Sequence, residues 1–216
     1  MSKHPLKPKN APMIALFIIY CFSLYLLFIS GFEDFLGSLF ELISSLRNRE
    51  AFVVVVTPLL SFILPSLFSS DIKAIITFWK LKNPLPGTRA FTVIAPSDVR
   101  VDLGVLKTKF SSLPTEPKKQ NQLWYKIYKQ VQESPSVILS HKYFLLARDL
   151  STIAFLFLVT TPWALYLVTK DCNSTLFYLL ITSLQYVALS IVTQNCGNSF
   201  VGNVLAEYCY KNSIEI

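Results

Sequence analysis

The side chains able to do chemistry are few and scattered. Two histidines, His4 and His141, and four cysteines, Cys21, Cys172, Cys196 and Cys209, are the only imidazoles and thiols in the 216 residues. A structural metal site needs about four such ligands, typically paired at CxxC or HxxxH spacing, and no two here stand so. GxSxG, HExxH and phosphate-cradling glycine loops are absent. Glu116 and Glu133 sit in polar stretches where a carboxylate is ordinarily just solvated. No catalytic residue, cofactor site or metal site is expected, and the chain reads as a non-enzyme.

Three other groupings remain. Lys118, Lys119, Lys126 and Lys129 flank Trp124, a candidate surface for a soluble cytoplasmic partner, although basic charge of this kind also suits anionic lipid headgroups. Direct nucleic-acid binding is not expected, because no recognised nucleic-acid motif accompanies the charge. Thr182, Gln185 and Thr193 share one sector of a helical wheel and Ser190 lies in the next, a stripe that either packs helices together or lines a wet path. Pro58 and Pro65 stand seven residues apart on nearly one helix face; each removes a backbone hydrogen bond, which makes them a candidate hinge.

The elements that must carry these groups are membrane spans. Pro12–Ser30, Ala51–Ser70, Leu150–Thr169 and Leu176–Thr193 hold no charged residue. Each can cross a hydrocarbon core of about 30 Å at about 1.5 Å rise per residue. Hydrophobic residues make up 52% of the chain, too many for an ordinary soluble domain. The N-terminal arm has Lys3, Lys7 and Lys9 and no acid, and the first loop, Gly31–Glu50, is net acidic. The stretch Asp71–Asp149 holds thirteen Lys or Arg against six acids. The excess of basic residues on the cytoplasmic side therefore predicts four spans with both termini inside. The expected fold is all-α: a polytopic protein of the bacterial inner membrane with two transmembrane hairpins and a small helical cytoplasmic insert between spans 2 and 3. Its parts are a basic arm (1–10), a first hairpin with an amphipathic outer loop (11–70), the insert (71–134), a projecting helix with the second hairpin (135–194) and a tail (195–216).

Local signals divide these parts further. Phe32, Phe35, Leu36, Leu39, Phe40 and Ile43 recur at helical spacing, predicting an amphipathic helix on the outer surface. After the second span, Ile72, Ile75, Ile76 and Trp79 predict an interfacial helix with its apolar side opposite Lys73, Thr77 and Lys80. Ser97 is the expected N-cap of a helix over 98–110. Trp124, Ile127, Tyr128 and Val131 fall at i, i+3, i+4 and i+7, the buried stripe of a further helix. Ser134-Pro135 starts a helix expected to run unbroken to about Thr169. Gly197 should break the last span from a short tail helix in which Phe200, Val201, Val204 and Leu205 face the insert. The insert, at roughly 65 residues, is too small to bury much core by itself and should lean on helix extensions or a second subunit.

The blocks QNQLWYKIYK, HKYFLLARDL and GNSFVGNVLAEYC around two span pairs resemble bacterial four-span membrane proteins carried beside anti-phage genes, and the architecture is similar to the membrane subunit of the Kiwa defence system. That resemblance implies an oligomeric inner-membrane sensor with a cytoplasmic partner that acts on phage DNA. Three functional classes follow. One is a sensor or scaffold that contacts membrane lipids, homo-oligomerises and offers Arg89–Gln132 to a soluble cytoplasmic protein. Another is a channel or pore-forming effector, lined by the Thr182/Gln185/Thr193 stripe and opened at Pro58 and Pro65. The third is a membrane enzyme or transporter subunit.

Overall fold

The computed structural model describes residues 10–46, with side chains as far as Ile29, together with residues 63, 64 and 66–213. No strand occurs among them. Among the described residues six α-helices of more than one turn occur: α1 (Ala11–Leu46), α2 (Ser70–Phe78), α3 (Leu103–Phe110), α4 (Pro117–Val131), α5 (Pro135–Thr169) and α6 (Cys172–Ser213). Between α2 and α3 the backbone tightens into a 3-10 turn (Pro86–Arg89), a π-helical turn (Ala90–Ile94) and one α turn (Ala95–Ser97).

Three of these helices, α1, α5 and α6, are long and apolar enough to cross a membrane. The sequence predicts four spans; the remaining one, Ala51–Ser70, lies outside the described residues except at 63, 64 and 66–70. The chain divides into two compact units, one formed by 70–148 and 190–216 with the first six residues, the other by 7–69 and 149–189.

In the second unit the apolar residues of three helix segments interlock. Ile14, Ile18 and Cys21 of α1, Ile153, Ala154, Phe157 and Leu165 of α5, and Tyr178 of α6 are buried. Aromatic edges meet ring faces between Phe22 and Phe157 at 5.2 Å and between Phe28 and Tyr178 at 5.1 Å. The Tyr178 hydroxyl finds Thr161 Oγ1 at 2.8 Å, so the phenol is not stranded among hydrocarbons. Lys170 and Asp171 make the whole turn between α5 and α6. The Asp171 carboxylate accepts from the Asn173 and Ser174 amides at 3.0 and 3.3 Å, capping α6. Leu16, Val159, Trp163, Leu167, Phe177 and Leu184 point outward, 50–74% exposed. That much apolar surface is untenable in water and proper to a lipid-facing wall.

The first unit has a core of a soluble kind. Leu106 of α3, Ile127 and Val131 of α4, Val137 of α5 and Val201, Val204 and Leu205 of α6 are all at most 1% exposed. They form one cluster with Phe91, Ile94, Phe144, Phe200 and Tyr208. A polar clamp sits within it. Gln120 of α4, 1% exposed, accepts at Oε1 from the Phe91 and Thr92 amides at 3.0 and 3.2 Å, the unpaired donors that open the π-helical turn. Its Nε2 donates to the Thr115 carbonyl at 2.8 Å and to Thr92 Oγ1 at 3.2 Å.

Close approach explains two glycines. A Cβ at Gly87 would lie 2.9 Å from Trp124 Cε3 and would overlap Asn121 Oδ1. One at Gly197 would lie 2.8 Å from Phe78 Cζ and 3.1 Å from Phe144 Cε2. Gly197 thus seats α6 against two rings, and α6 runs through it unbroken, against the predicted break. The tail nevertheless packs on the insert as expected, since Phe200, Val201, Val204 and Leu205 are buried there.

Other expectations are met or corrected in the same physical terms. α5 runs Pro135–Thr169 as predicted, with Pro162 inside it. α1 continues through the first part of the outer loop to Leu46, so that loop helix is not a separate element. Asp102, not Ser97, caps α3, accepting from the Gly104 and Val105 amides at 2.7 and 3.3 Å. Ser97 closes the preceding turn, its Oγ donating to the Ile94 carbonyl at 2.9 Å. On α2 the inward face is Lys73, Ala74, Thr77 and Phe78, while Ile72 and Trp79 are 44% and 52% exposed. α6 fixes that face, with Gln194 Nε2 donating to the Thr77 carbonyl at 2.9 Å.

Replacing Gln120 by Leu leaves the buried Phe91 amide and the part-buried Thr92 amide without an acceptor. The expected loss is at least about 1 kcal/mol, since an unpaired buried group costs about 1–3. Denaturant unfolding of the detergent-solubilised chain, followed by near-UV circular dichroism, checks it; an unchanged midpoint contradicts the clamp.

Candidate functional site

The exposed side of α4 gathers the predicted lysines. α4 begins at Pro117, whose missing N–H costs nothing at a helix start. Its inward stripe of Gln120, Trp124, Ile127 and Val131 leaves Lys118, Lys119, Lys126 and Lys129 in solvent with Tyr125. Lys119 Nζ pairs with Glu116 at 3.0 Å. Lys129 Nζ stands 5.4 and 5.7 Å from the Tyr125 and Tyr128 ring centres and donates to Gln132 Oε1 at 3.3 Å. Lys118 and Lys126 have no ion-pair partner among the described residues. The result is a cationic helix face with aromatic footing.

Trp124 does not share that face. At 8% exposure it belongs to the core, lying over Tyr128 at 5.8 Å and meeting the Phe200 ring edge-on at 5.4 Å. The i, i+3, i+4, i+7 stripe that marks it as apolar also turns it inward, so Tyr125 is the aromatic residue available to a partner.

Behind α4, His141 is built into the core. Its ring stacks on Phe200 at 4.6 Å between centres, and Nδ1 lies 3.3 Å from the Tyr128 hydroxyl. Burial, reinforced by the positive charge of Arg148, lowers its pKa to about 4. The imidazole is therefore neutral at physiological pH and serves packing.

A second polar surface was not read from the sequence. Arg89, Asp98, Arg100, Ser97, Asn198 and Ser199 line a cleft of about 340 Å³. Arg100 grips Asp98 through two nitrogens at 2.9 and 2.7 Å, holding the carboxyl below the usual carboxylate range. Arg89 and Asn198 stand 109 positions apart in the chain, and only the packing of α6 on the insert joins them. Gln120, by contrast, had a signal available: it is i−4 from Trp124 on the buried stripe.

The predicted span stripe is divided between the two units, Thr182 and Gln185 in one, Ser190 and Thr193 in the other. Thr182, Ser190 and Thr193 are buried. Thr182 Oγ1 donates to the Tyr178 carbonyl at 2.9 Å and Gln185 Nε2 to Cys21 Sγ at 3.5 Å. The void beside them, lined by Cys21, Ala154, Phe157, Tyr178, Thr182 and Gln185, is too narrow to hold a water molecule. Thr182 is satisfied by its own helix, whereas Gln185 Oε1 is buried without a hydrogen-bond partner among the described residues. Pro58 and Pro65, the candidate hinge, lie outside the described residues. The four cysteines are free thiols, and no cluster of metal-ligating side chains occurs among the described residues.

No protein-family model, curated protein or solved structure matches the chain.

The neutral His141 gives the first unit a pH signature. An unfolded histidine takes up a proton below about pH 6.5, whereas the folded one resists until about pH 4. Its contribution is therefore complete above 6.5 and is lost as the pH falls toward 4. The wild type should lose more stability between pH 7.5 and 5.0 than His141→Phe, measured as the midpoint of thermal unfolding in detergent; equal losses contradict the assignment.

Proposed function

We propose that the chain is a membrane-anchored sensor and scaffold subunit that oligomerises through its spans and presents Arg89–Gln132 to a soluble cytoplasmic partner. In this reading four spans cross the bacterial inner membrane and both termini are cytoplasmic. The segment 51–70 supplies the fourth span, and the basic insert obeys the excess of Lys and Arg on that side.

The observation that carries the reading is the two-sidedness of α4. Its apolar side is committed to a packed core, and the opposite side holds four lysines with a single ion pair among the described residues. A helix so placed is held still by its own domain and leaves its charge for another molecule. An acidic protein surface matches it in charge, and complementary fields set association rate and specificity. One further feature favours a scaffold over a pore: among the described residues the void beside Thr182 and Gln185 offers no water path through one chain. The resemblance of the span plan to membrane subunits of anti-phage systems points to defence as the setting.

Affinity purification of the solubilised full chain from its native host tests this. Recovery of a homo-oligomer with a soluble partner is expected. Lys126→Glu with Lys129→Glu should cut partner recovery about tenfold or more at low salt, the effect shrinking as ionic strength rises. Gln185→Leu should leave recovery unchanged. Loss of biological activity with Gln185→Leu and not with the lysine reversals would overturn the scaffold reading in favour of a conducting path.

A further inference from the structure

The cleft between the insert and α6 carries an electrostatic imbalance that the scaffold reading does not use. Three charged side chains line it: Arg89, Arg100 and Asp98. Arg100 and Asp98 neutralise each other through their paired bonds, with Asp98 pressed so closely on α6 that a Cβ at Gly202 would lie 2.6 Å from its Oδ2. Arg89 has no acid in the cleft to balance it. One face of its guanidinium rests against Phe78, the ring centre 5.3 Å away. Its Nη2 donates to Asn198 Oδ1 at a long 3.4 Å. Its Nη1 is buried without a hydrogen-bond partner among the described residues. A buried guanidinium nitrogen left unpaired is destabilising, a penalty that a bound oxyanion would remove.

The rest of the lining suits such an anion. The side-chain amide of Asn198 and the hydroxyl of Ser199 add neutral donors, and Val93, Ile94 and Val99 add apolar lining. Lys80 lies close enough to Arg89 for its pKa to be lowered by that charge, so it adds positive potential nearby. Beyond Arg100 and Ser199, which belong to both, a second cleft of about 490 Å³ opens along Ser136, Leu139, Ser140, Tyr143 and Asn203, with room for the body of a larger molecule. Asn198 and Ser199 follow Thr193, the last residue of the predicted fourth span, by five and six positions. That is about 8–9 Å along the continuous α6, the level at which phospholipid phosphates meet the cytoplasm.

We infer that this cleft binds the phosphate of a phosphodiester, a group whose single negative charge balances the lining, with Arg89 and Arg100 as its cationic contacts and Asn198 and Ser199 as neutral donors. Two sources share that chemistry, the headgroup of an anionic phospholipid and a soluble phosphodiester, and the experiment separates them.

The purified full chain in mild detergent is titrated with phosphatidylglycerol and, separately, with its deacylated headgroup glycerophosphoglycerol, and bound molecules are counted by native mass spectrometry. Saturable binding is expected, weakened about tenfold by Arg89→Gln, the loss of roughly one charge-assisted hydrogen bond. Ser199→Asp, an exposed position that adds a negative charge to the cleft, should do the same. Lys107→Gln, on an exposed turn of α3, removes one positive charge elsewhere and should leave binding unchanged. If Arg89→Gln unfolds, as judged by circular dichroism, Ser199→Asp carries the test. Binding of the lipid but not the headgroup assigns a lipid site, and binding of both assigns a site for soluble phosphodiesters as well. Binding of neither, or binding that ignores Ser199→Asp, overturns the inference.

Discussion

The packing of the α6 tail into the insert is the constraint on which the first unit depends. The segment 70–134 has too few apolar residues to enclose a core by itself. α6 supplies what is missing by continuing to Ser213 and burying Phe200, Val201, Val204, Leu205 and Tyr208 against α3, α4 and the turns that precede them. Phe110 stacks on Tyr208 at 5.8 Å, and Phe144 and His141 flank Phe200 at 6.1 and 4.6 Å. Other features follow from that docking. Glycines are needed where α6 nears Phe78 and Asp98, the lysine face of α4 is left outward because its other face is taken, and Arg89 is brought beside Asn198.

The second unit solves a different problem. In lipid there is no water to satisfy a hydroxyl, so each must bond within the protein. Thr160, Thr161 and Thr169 of α5 donate back to the carbonyls of Leu156, Phe157 and Leu165 at 2.7–2.9 Å, and Thr182 of α6 does the same to Tyr178. Of the side chains that look like a wet path in a helical wheel, Thr182 is thereby satisfied by its own helix. Polarity at a regular spacing does not by itself make a conduit.

Elements fixed by local rules were legible in the sequence. Ser134-Pro135 marks the start of α5, the Trp124 stripe gives the inner side of α4, and three apolar runs became helices long enough to span. What failed depended on neighbours distant in the chain. Gly197 reads as a break because glycine is a poor helix former, yet here two aromatic rings require it inside a helix. The interfacial reading of α2 places Ile72 and Trp79 on an outer apolar side, and both are exposed; that Lys73, Ala74, Thr77 and Phe78 turn inward was not legible, because that face is set by where α6 packs. Ser97 reads as the cap of a helix over 98–110, but the chain turns at Asp98 and Arg100 first, and it is Asp102 that meets the free amides. Arg89 carries no signal at all, since its surroundings exist only once the tail has docked.

The account therefore turns on whether the tail and insert are one cooperative unit. Hydrogen exchange on the solubilised full chain with Leu205→Ala measures it directly, because Leu205 is fully buried and its truncation should cost about 2–5 kcal/mol. Amides of 90–97 and 120–131, at least 74 positions away in sequence, should exchange about tenfold or more faster, while those of α5 beyond Leu150 keep their protection. Acceleration confined to the α6 tail, with the insert unchanged, would contradict the account.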